Sequence, residues 1–330
     1  MALMTYAEAA SHALAAEMAD DPSVVALGED LGRGGIFGQY RHLSARFGPS
    51  RIIDTPISEA TIMGAAVGMA LTGLKPVVEL RVIDFALCAT DEIINQAAKN
   101  RYMFGGQGRV PVVIRMPIGI WSASAAQHSQ SLENWFIHVP GLVVLAPATP
   151  QDNHDLLRAA VQCPDPVVYL EHKELWGHSA EVDTRAADAR SVDWASLLGK
   201  AQCVRQGRDL TVVSWGKALH WVTEAADNLA GHGISAEVID LRTLWPWDRQ
   251  AVFASASRTG RLLVVHEAIQ TSGFGAEIVA SVAESAHLRH VRVARLGGPR
   301  IPVGYAPELE ARARISVEQV GQAMRNLFQS

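Results

Sequence analysis

The sequence lacks the features that mark secreted, membrane or nucleic-acid-binding proteins. Its three cysteines, Cys88, Cys163 and Cys203, cannot all pair and lack metal-ligand spacing, so a reduced, cytoplasmic protein is expected. A net charge of −5 offers no basic surface to nucleic acid. The longest uncharged stretches, 60–74 and 116–132, are interrupted by Gly, Ser, Gln or His, which argues against a membrane span, and no signal peptide is expected at the amino terminus.

Short catalytic motifs are missing as well. The sequence has no G-x-x-x-x-G-K-[ST] loop, no G-x-S-x-G elbow and no H-E-x-x-H pair. Gly273-Phe274-Gly275 precedes a predicted helix, but a dinucleotide fingerprint needs a third glycine and opens a βαβ unit. The twelve histidines lack the close spacing of a zinc site. Motifs of this size leave the function open.

What is present is the pattern of an α/β protein. The 330 residues are 48% apolar and 19% charged, an ordinary globular composition for about two domains. Short β-branched runs alternate with helical patterns, which predicts open, mostly parallel sheets with crossover helices. A polar, alanine-rich stretch interrupts this alternation. We therefore predict a first domain over 1–185, a linker over 186–200 and a second domain over 201–330.

Longer strings, in order along almost the whole chain, are more specific than any short motif. They are G-E-D at 28–30, D-T-P-I-S-E at 54–59, N-Q-A-A-K at 95–99, Q-H-S-Q-S at 127–131, P-A-T-P at 147–150 and E-V-I-D-L-R at 237–242. This succession resembles the beta subunit of the thiamine-diphosphate-dependent decarboxylating component of 2-oxoacid and acetoin dehydrogenase complexes.

The resemblance implies a transketolase-like pyrimidine-binding domain followed by a transketolase C-terminal-like domain. It implies thiamine diphosphate as cofactor, bound between this chain and an alpha subunit in an α2β2 heterotetramer. In the family the alpha subunit holds Mg²⁺ and the diphosphate through a Gly-Asp-Gly…Asn motif, and no Gly-Asp-Gly occurs in this sequence. The implied reaction cleaves the carbon–carbon bond next to a carbonyl and passes the acyl group to a lipoyl acyltransferase, with no nucleic-acid or membrane partner.

Glu59 is the principal catalytic candidate. By resemblance, its carboxyl group bonds the aminopyrimidine ring nitrogen of the cofactor and so helps to activate the thiazolium carbon. Apolar neighbours such as Ile57 are expected to shield it from water. Local sequence alone also allows a simpler role, because an acidic residue after Ser58 complements the dipole at a helix start.

Three further residues resemble cofactor contacts. Phe85 matches the aromatic residue that packs on the aminopyrimidine ring, and Ile57 matches a contact to the same ring, although both also suit an apolar core. Cys88 lies at a position where pyruvate-type members commonly carry glutamine. At this position the sequence is more similar to acetoin-type members. The substrate, acetoin or one of several 2-oxoacids, stays undecided.

His128 is the second catalytic candidate. It lies in an uncharged stretch and matches the family histidine at the active-site entrance that assists acyl transfer to the lipoyl group. An imidazole exchanges protons near pH 7, although a solvent-exposed loop histidine fits the local sequence equally well. Elsewhere, the segment around Ala160, Cys163 and Asp165 resembles a loop that holds a structural K⁺ ion in relatives.

Two other functions remain open at this stage. Trp121 stands in a stretch that is normally glycine-rich, which motivates a lipoyl-independent, split transketolase-like or acyloin-forming enzyme. A non-catalytic subunit that only stabilises an alpha chain would be the third interpretation. Loss of both Glu59 and His128 without kinetic effect would favour that one.

Overall fold

The computed structural model describes residues 1–184 and 193–329, and the chain divides into two compact units. The first unit comprises Met1–Ile118 and Trp135–Leu198, and the second comprises Gly119–Asn134 and Gly199–Ser330. Segment 119–134 thus groups with the second half of the chain, whereas the sequence prediction included it in the first domain. Residues 185–192, which include the first part of the predicted linker, lie outside the described residues, so the predicted boundaries stay a prediction.

The first unit alternates strands and helices as expected. Its strands are β1 (Ala2–Thr5), β2 (Val24–Gly28), β3 (Ile52–Asp54), β4 (Lys75–Glu79), β5 (Val113–Ile118), β6 (Val143–Leu145), β7 (Val167–His172) and β8 (Ser179–Val182). Its helices are α1 (Tyr6–Asp20), α2 (Leu43–Phe47), α3 (Glu59–Leu71), α4 (Ala98–Met103) and α6 (Pro150–Gln162), while α5 (Glu133–Ile137) lies across the unit boundary.

Six strands of this unit form one parallel sheet in the order β6-β7-β5-β4-β2-β3. Strands β1 and β8 form a separate antiparallel pair. Helices α1 and α6 pack on each other and bury apolar side chains such as Leu14 and Leu156 in the main core cluster. The predicted α/β class with mostly parallel sheets is confirmed.

Local sequence explains where these helices begin. The sequence T-x-x-E at 5–8 predicts a capping box. The Thr5 side chain accepts a hydrogen bond from the Glu8 amide at 3.2 Å, and the Glu8 carboxylate accepts one from the Thr5 amide at 2.9 Å, which confirms it. The Thr149 side chain caps α6 by accepting a hydrogen bond from the Asp152 amide at 3.0 Å, ahead of Pro150 in the first turn. The sequence pattern predicts a single helix over 91–103, whereas the structure has a π-helix (Glu92–Ala97) directly ahead of α4.

The second unit repeats the architecture. Its elements are β9 (Gln202–Arg205), β10 (Leu210–Ser214), α7 (Gly216–Ala230), β11 (Ala236–Asp240), β12 (Thr243–Trp245), α8 (Arg249–Thr259), β13 (Arg261–Ile269), α9 (Phe274–Glu284), β14 (Arg292–Gly298), α10 (Pro307–Ala313) and α11 (Val317–Gln329). Strands β14-β13-β10-β11 are parallel, and β9 closes the sheet antiparallel to β11. Within the described part of the chain, no helix has both the length and the apolar character needed to cross a membrane.

Candidate functional site

Acidic residues collect at the carboxyl edge of the first unit's parallel sheet, the edge at which such sheets bind ligands. Glu29 directly follows β2, and Asp54 and Glu79 end β3 and β4. Gly28, at φ 155°, permits this arrangement, since a Cβ atom there would lie 2.5 Å from the Glu79 carbonyl oxygen. A glycine in this strand therefore allows β2 and β4 to approach closely just below the acids.

Glu59 lies half-buried in the first turn of α3, at the position that the sequence predicts. Burial raises the pKa of Glu29, and the negative charge of Glu59 raises it further. The two carboxyl groups therefore lie in the same electrostatic neighbourhood. Ile57, one of the apolar neighbours expected to shield Glu59, is 78% exposed in this chain, so the shielding stays a prediction.

Phe85 and Cys88 lie on a 3-10 helix (Ile83–Ala89) that packs against α3. Phe85 is half-buried, whereas Cys88 and the neighbouring Leu87 are exposed. The four predicted cofactor-contacting residues, Ile57, Glu59, Phe85 and Cys88, are thus carried by two adjacent segments of one unit. A half-buried carboxyl group among exposed and half-buried apolar side chains is a surface suited to a ligand with a flat, partly polar ring.

His128 belongs to the second unit and is exposed to solvent. Its amide donates a 3.4 Å hydrogen bond to the carbonyl oxygen of Ala125. Residues on both sides of it, including Ala126 and Ser129, line a cavity of about 450 Å³ whose other walls include Ile269 and Ile301. His128 therefore lies on the loop that bounds this cavity.

A buried polar network in the first unit was missed by sequence reasoning. The Glu79 carboxylate accepts hydrogen bonds from Gln39 at 3.1 Å and from Tyr40 at 2.9 Å, while Arg115 pairs with Glu171. Burial raises the pKa of Glu79 to about 7, although the Arg115 guanidinium acts in the opposite direction. Charged residues inside otherwise apolar strand patterns were the signal that could have revealed this network.

Gly273 and Gly275, which suggested a dinucleotide site, have a different role in the second unit. A Cβ atom on either residue would lie within 3.0 Å of the His266 ring, so both glycines make room for that buried histidine. The ring also stacks on Trp215 at 5.3 Å, and its Nδ1 lies 3.0 Å from the Ala268 carbonyl oxygen. Burial lowers the pKa of His266 to about 4, so it is neutral at pH 7.

The residues proposed for a monovalent cation follow one another at the end of α6. The Cys163 amide donates a 3.2 Å hydrogen bond to the Ala160 carbonyl oxygen, and Asp165 forms an ion pair with Arg101. The K⁺ site stays a prediction. Elsewhere in the described residues, no group of three or more His, Cys, Asp or Glu side chains is placed to hold a metal ion.

Comparison with known proteins agrees with this two-unit architecture. The family model "Transketolase, pyrimidine binding domain" matches residues 2–178, and "Transketolase, C-terminal domain" matches residues 199–320. A split-gene transketolase, described as an inactive beta4 tetramer, superimposes with a TM-score of 0.78 over 99% of this chain and 98% of its own, at 22% identity. Transketolase from Leishmania mexicana gives 0.71 over 100% of this chain and 46% of its own, at 16% identity. These two likenesses establish the fold.

Sequence relatives decide the family. The pyruvate dehydrogenase E1 component subunit beta-2 of Oryza sativa subsp. japonica is 43% identical over 98% of this chain and 85% of its own length. The chain belongs to the transketolase-like E1 beta-subunit family. The acetoin:2,6-dichlorophenolindophenol oxidoreductase subunit beta of Cupriavidus necator is 42% identical, covering 96% and 95%. The 2-oxoisovalerate dehydrogenase subunit beta of Bacillus subtilis is 38% identical, covering 99% of both chains.

Membership of this E1 beta-subunit family implies thiamine diphosphate, and the first unit fits part of that cofactor. Glu59 offers a carboxyl group to a ring nitrogen, and Ile57 and Phe85 offer apolar surface on the neighbouring segments. These residues suit the aminopyrimidine ring. The diphosphate needs cations or amide donors, and none of the four predicted contact residues, Ile57, Glu59, Phe85 and Cys88, carries a positive charge.

Proposed function

We propose that this chain is the beta subunit of a thiamine-diphosphate-dependent E1 enzyme that works with an alpha subunit in an α2β2 heterotetramer. The enzyme would cleave the carbon–carbon bond next to the carbonyl of acetoin or a 2-oxoacid and transfer the acyl group to a lipoyl domain. The observation that carries this proposal is the position of Glu59, half-buried at the start of α3 beside Glu29 and next to the segment with Phe85.

Each predicted residue then has a defined task. Bound thiamine diphosphate supplies the electron sink for the carbon–carbon cleavage. Glu59 would hold a proton at the pyrimidine ring nitrogen, and Ile57, Phe85 and Cys88 would fix the ring. His128 would donate a proton to the second lipoyl sulfur when the sulfur–sulfur bond opens and the first sulfur takes the acyl group. The Mg²⁺ ion would be held mainly by the alpha subunit.

The composition of the exposed face of α3 favours contact with a partner chain. Its exposed positions carry no charge, although solvent-facing helix surfaces are usually polar or charged. They are Ala60, Thr61, Gly64, Ala65, Gly68 and Leu71. A face of small and apolar residues beside the proposed cofactor position is suited to close contact with another protein. We infer that the alpha subunit covers this region and shields Glu59 from water.

The compartment is part of the same proposal. All three cysteines are free, which agrees with a reducing environment. We infer a cytoplasmic location, while the plant relative subunit beta-1 of Arabidopsis thaliana is named as mitochondrial.

Reconstitution tests the proposed function. The chain is co-expressed with an alpha subunit that carries Gly-Asp-Gly…Asn, and the complex is supplied with thiamine diphosphate and Mg²⁺. Acetoin, pyruvate and branched-chain 2-oxoacids are then offered with and without a lipoyl domain. Acylation of the lipoyl domain by one of these substrates is the expected result. A product formed equally well without the lipoyl domain would favour the split transketolase-like enzyme instead.

A further inference from the structure

The segment that carries His128 has an unusual backbone. Ser122, Ala123 and Ala125 have φ values of 45°, 56° and 59°, in the left-handed region that residues with a Cβ atom rarely occupy. Such a conformation persists only where surrounding groups hold it. The segment between β5 and α5 therefore depends on anchors outside itself.

Glu310 of α10 provides one anchor. Its Oε2 atom accepts a 2.8 Å hydrogen bond from the amide of Ala123, one of the residues with positive φ. Its Oε1 atom accepts hydrogen bonds from Arg314, at 2.8 Å from Nη2 and 3.2 Å from Nε. Only 13% of the Glu310 side chain is exposed. Arg314 thus orients the carboxylate, and the negative charge strengthens its bond to the loop amide.

A second anchor lies on the other side of His128. The Ser131 hydroxyl donates a 3.1 Å hydrogen bond to Glu267 at the end of β13. His128 is therefore carried between two points at which the loop bonds to carboxylates of the second unit. The Glu310 anchor bonds directly to the strained backbone, so it bears most directly on the conformation of the loop.

We propose that Glu310, oriented by Arg314, is a positioning residue that fixes the loop and thereby the place of the His128 imidazole during acyl transfer. This inference rests on the proposed function of His128. Loss of the carboxylate would free the Ala123 amide and let the left-handed residues relax. The imidazole would then be misplaced without any change in its own chemistry, and small misplacements of reacting groups are costly.

The test compares Glu310→Ala, Glu310→Gln and Glu308→Ala in the complex with the alpha subunit. Glu308 is an exposed acid on the same helix and serves as the matched control. Hydrogen exchange of a peptide covering 119–126 reports on the anchor. Two activities report on function: acylation of the lipoyl domain, and reduction of 2,6-dichlorophenolindophenol, which needs no lipoyl group.

For Glu310→Ala we expect faster hydrogen exchange in 119–126. We also expect kcat for lipoyl acylation to be about 10- to 100-fold lower, with little change in the KM for substrate. Dye reduction should fall by a smaller factor. Glu310→Gln, which keeps an oxygen acceptor for Ala123, should recover part of the loss, and Glu308→Ala should match the wild type. Unchanged exchange and unchanged acylation in Glu310→Ala would overturn the proposal. If exchange increases but the wild-type complex never acylates a lipoyl domain, the anchor stands and both the proposed function and the role of Glu310 in it fail.

Discussion

Arg115 and Glu171 form a two-point ion pair in the interior of the first unit. Arg115 Nε lies 2.8 Å from Oε2 of Glu171 and Nη2 lies 2.8 Å from Oε1, and both side chains are fully buried. The same guanidinium lies 3.8 Å from the Glu79 carboxylate and 5.0 Å from the centre of the Tyr40 ring. The Arg115 guanidinium thus lies near two buried carboxyl groups, and of these two only the Glu171 carboxylate is within hydrogen-bond distance of it. For Glu79, the effect of burial on the pKa therefore exceeds the opposing effect of the guanidinium.

This imbalance predicts a pH-dependent stability. Burial raises the pKa of Glu79 from its ordinary 4.5 to about 7, so between these values the folded chain holds a proton that the unfolded chain has released. The free energy of unfolding therefore falls by about 3 kcal/mol in total as the pH rises through this window, because the stabilising contribution of protonated Glu79 is lost. Glu79→Gln, which does not titrate, should remove this loss. Urea unfolding of both proteins between pH 5 and 8 measures the difference, and parallel stability curves would refute the assignment.

Removing the shared cation should destabilise the first unit strongly. Arg115→Met leaves two carboxyl groups in the interior without their partner, and we expect the free energy of unfolding to fall by about 3–5 kcal/mol. Adding Glu171→Leu to that variant should recover part of the loss, because one unpaired charge is then removed. Arg109→Met, at an exposed position of the same unit, is the control. Denaturant unfolding at pH 7.5 measures the free energy of unfolding of each variant. Equal stability of Arg115→Met and Arg109→Met would contradict the prediction.

The sequence predicted most of the architecture because local rules governed it. The helical pattern of the sequence predicts a helix over 59–71, and α3 begins and ends at Glu59 and Leu71. Thr5 and Thr149, which precede helical patterns in the sequence, cap their helices. The buried charges could not be placed in the same way, since nothing near Glu79 in sequence indicates that Gln39 and Tyr40 will bond to it.

The candidate site was predicted in part for the same physical reason. Glu59 could be located from the string D-T-P-I-S-E and Phe85 from the family resemblance, and the structure puts them on adjacent segments. The anchor between Ala123 and Glu310 could not, because it joins a backbone amide to a side chain far along the chain. Contacts of this kind depend on the complete fold and leave no periodic pattern.

Glu59 should be essential for turnover. Glu59→Gln keeps the size of the side chain but removes the acid, and we expect kcat of the reconstituted complex to fall at least about 100-fold. Because glutamine has nearly the shape of glutamate, the surface offered to the alpha subunit is preserved, and assembly should be unaffected in size-exclusion chromatography. Glu224→Gln, an exposed acid of α7, is the control. Full activity of Glu59→Gln would exclude the central assignment and favour a non-catalytic subunit.

His128 should act in the second half of the reaction. We expect His128→Gln to lower lipoyl acylation by about 100-fold or more, since an amide cannot exchange a proton near pH 7, and to affect reduction of 2,6-dichlorophenolindophenol much less. Acylation of a purified lipoyl domain, followed by mass spectrometry, measures the first activity. An equal loss in both assays would indicate a structural role or a role in carbon–carbon cleavage instead. His287→Gln, a substitution on the short 3-10 helix Ala286–Leu288, controls for loss of a surface histidine.

Cys88 gives a test of the cofactor position that does not depend on turnover. Its thiol is exposed in the free chain, as is that of Cys203 on β9 of the second unit, whereas Cys163 is buried. Iodoacetamide should therefore modify Cys88 and Cys203 readily, and thiamine diphosphate with the alpha subunit should slow the reaction at Cys88 severalfold, because a bound ring and a partner chain restrict access to the thiol. Cys203 serves as the internal control in the same sample. Alpha subunit added without the cofactor separates the effect of the partner from that of the ring. If the cofactor leaves the ratio of the two modification rates unchanged, Cys88 is not a cofactor contact. The ring would then have to bind away from the 3-10 helix that packs on α3.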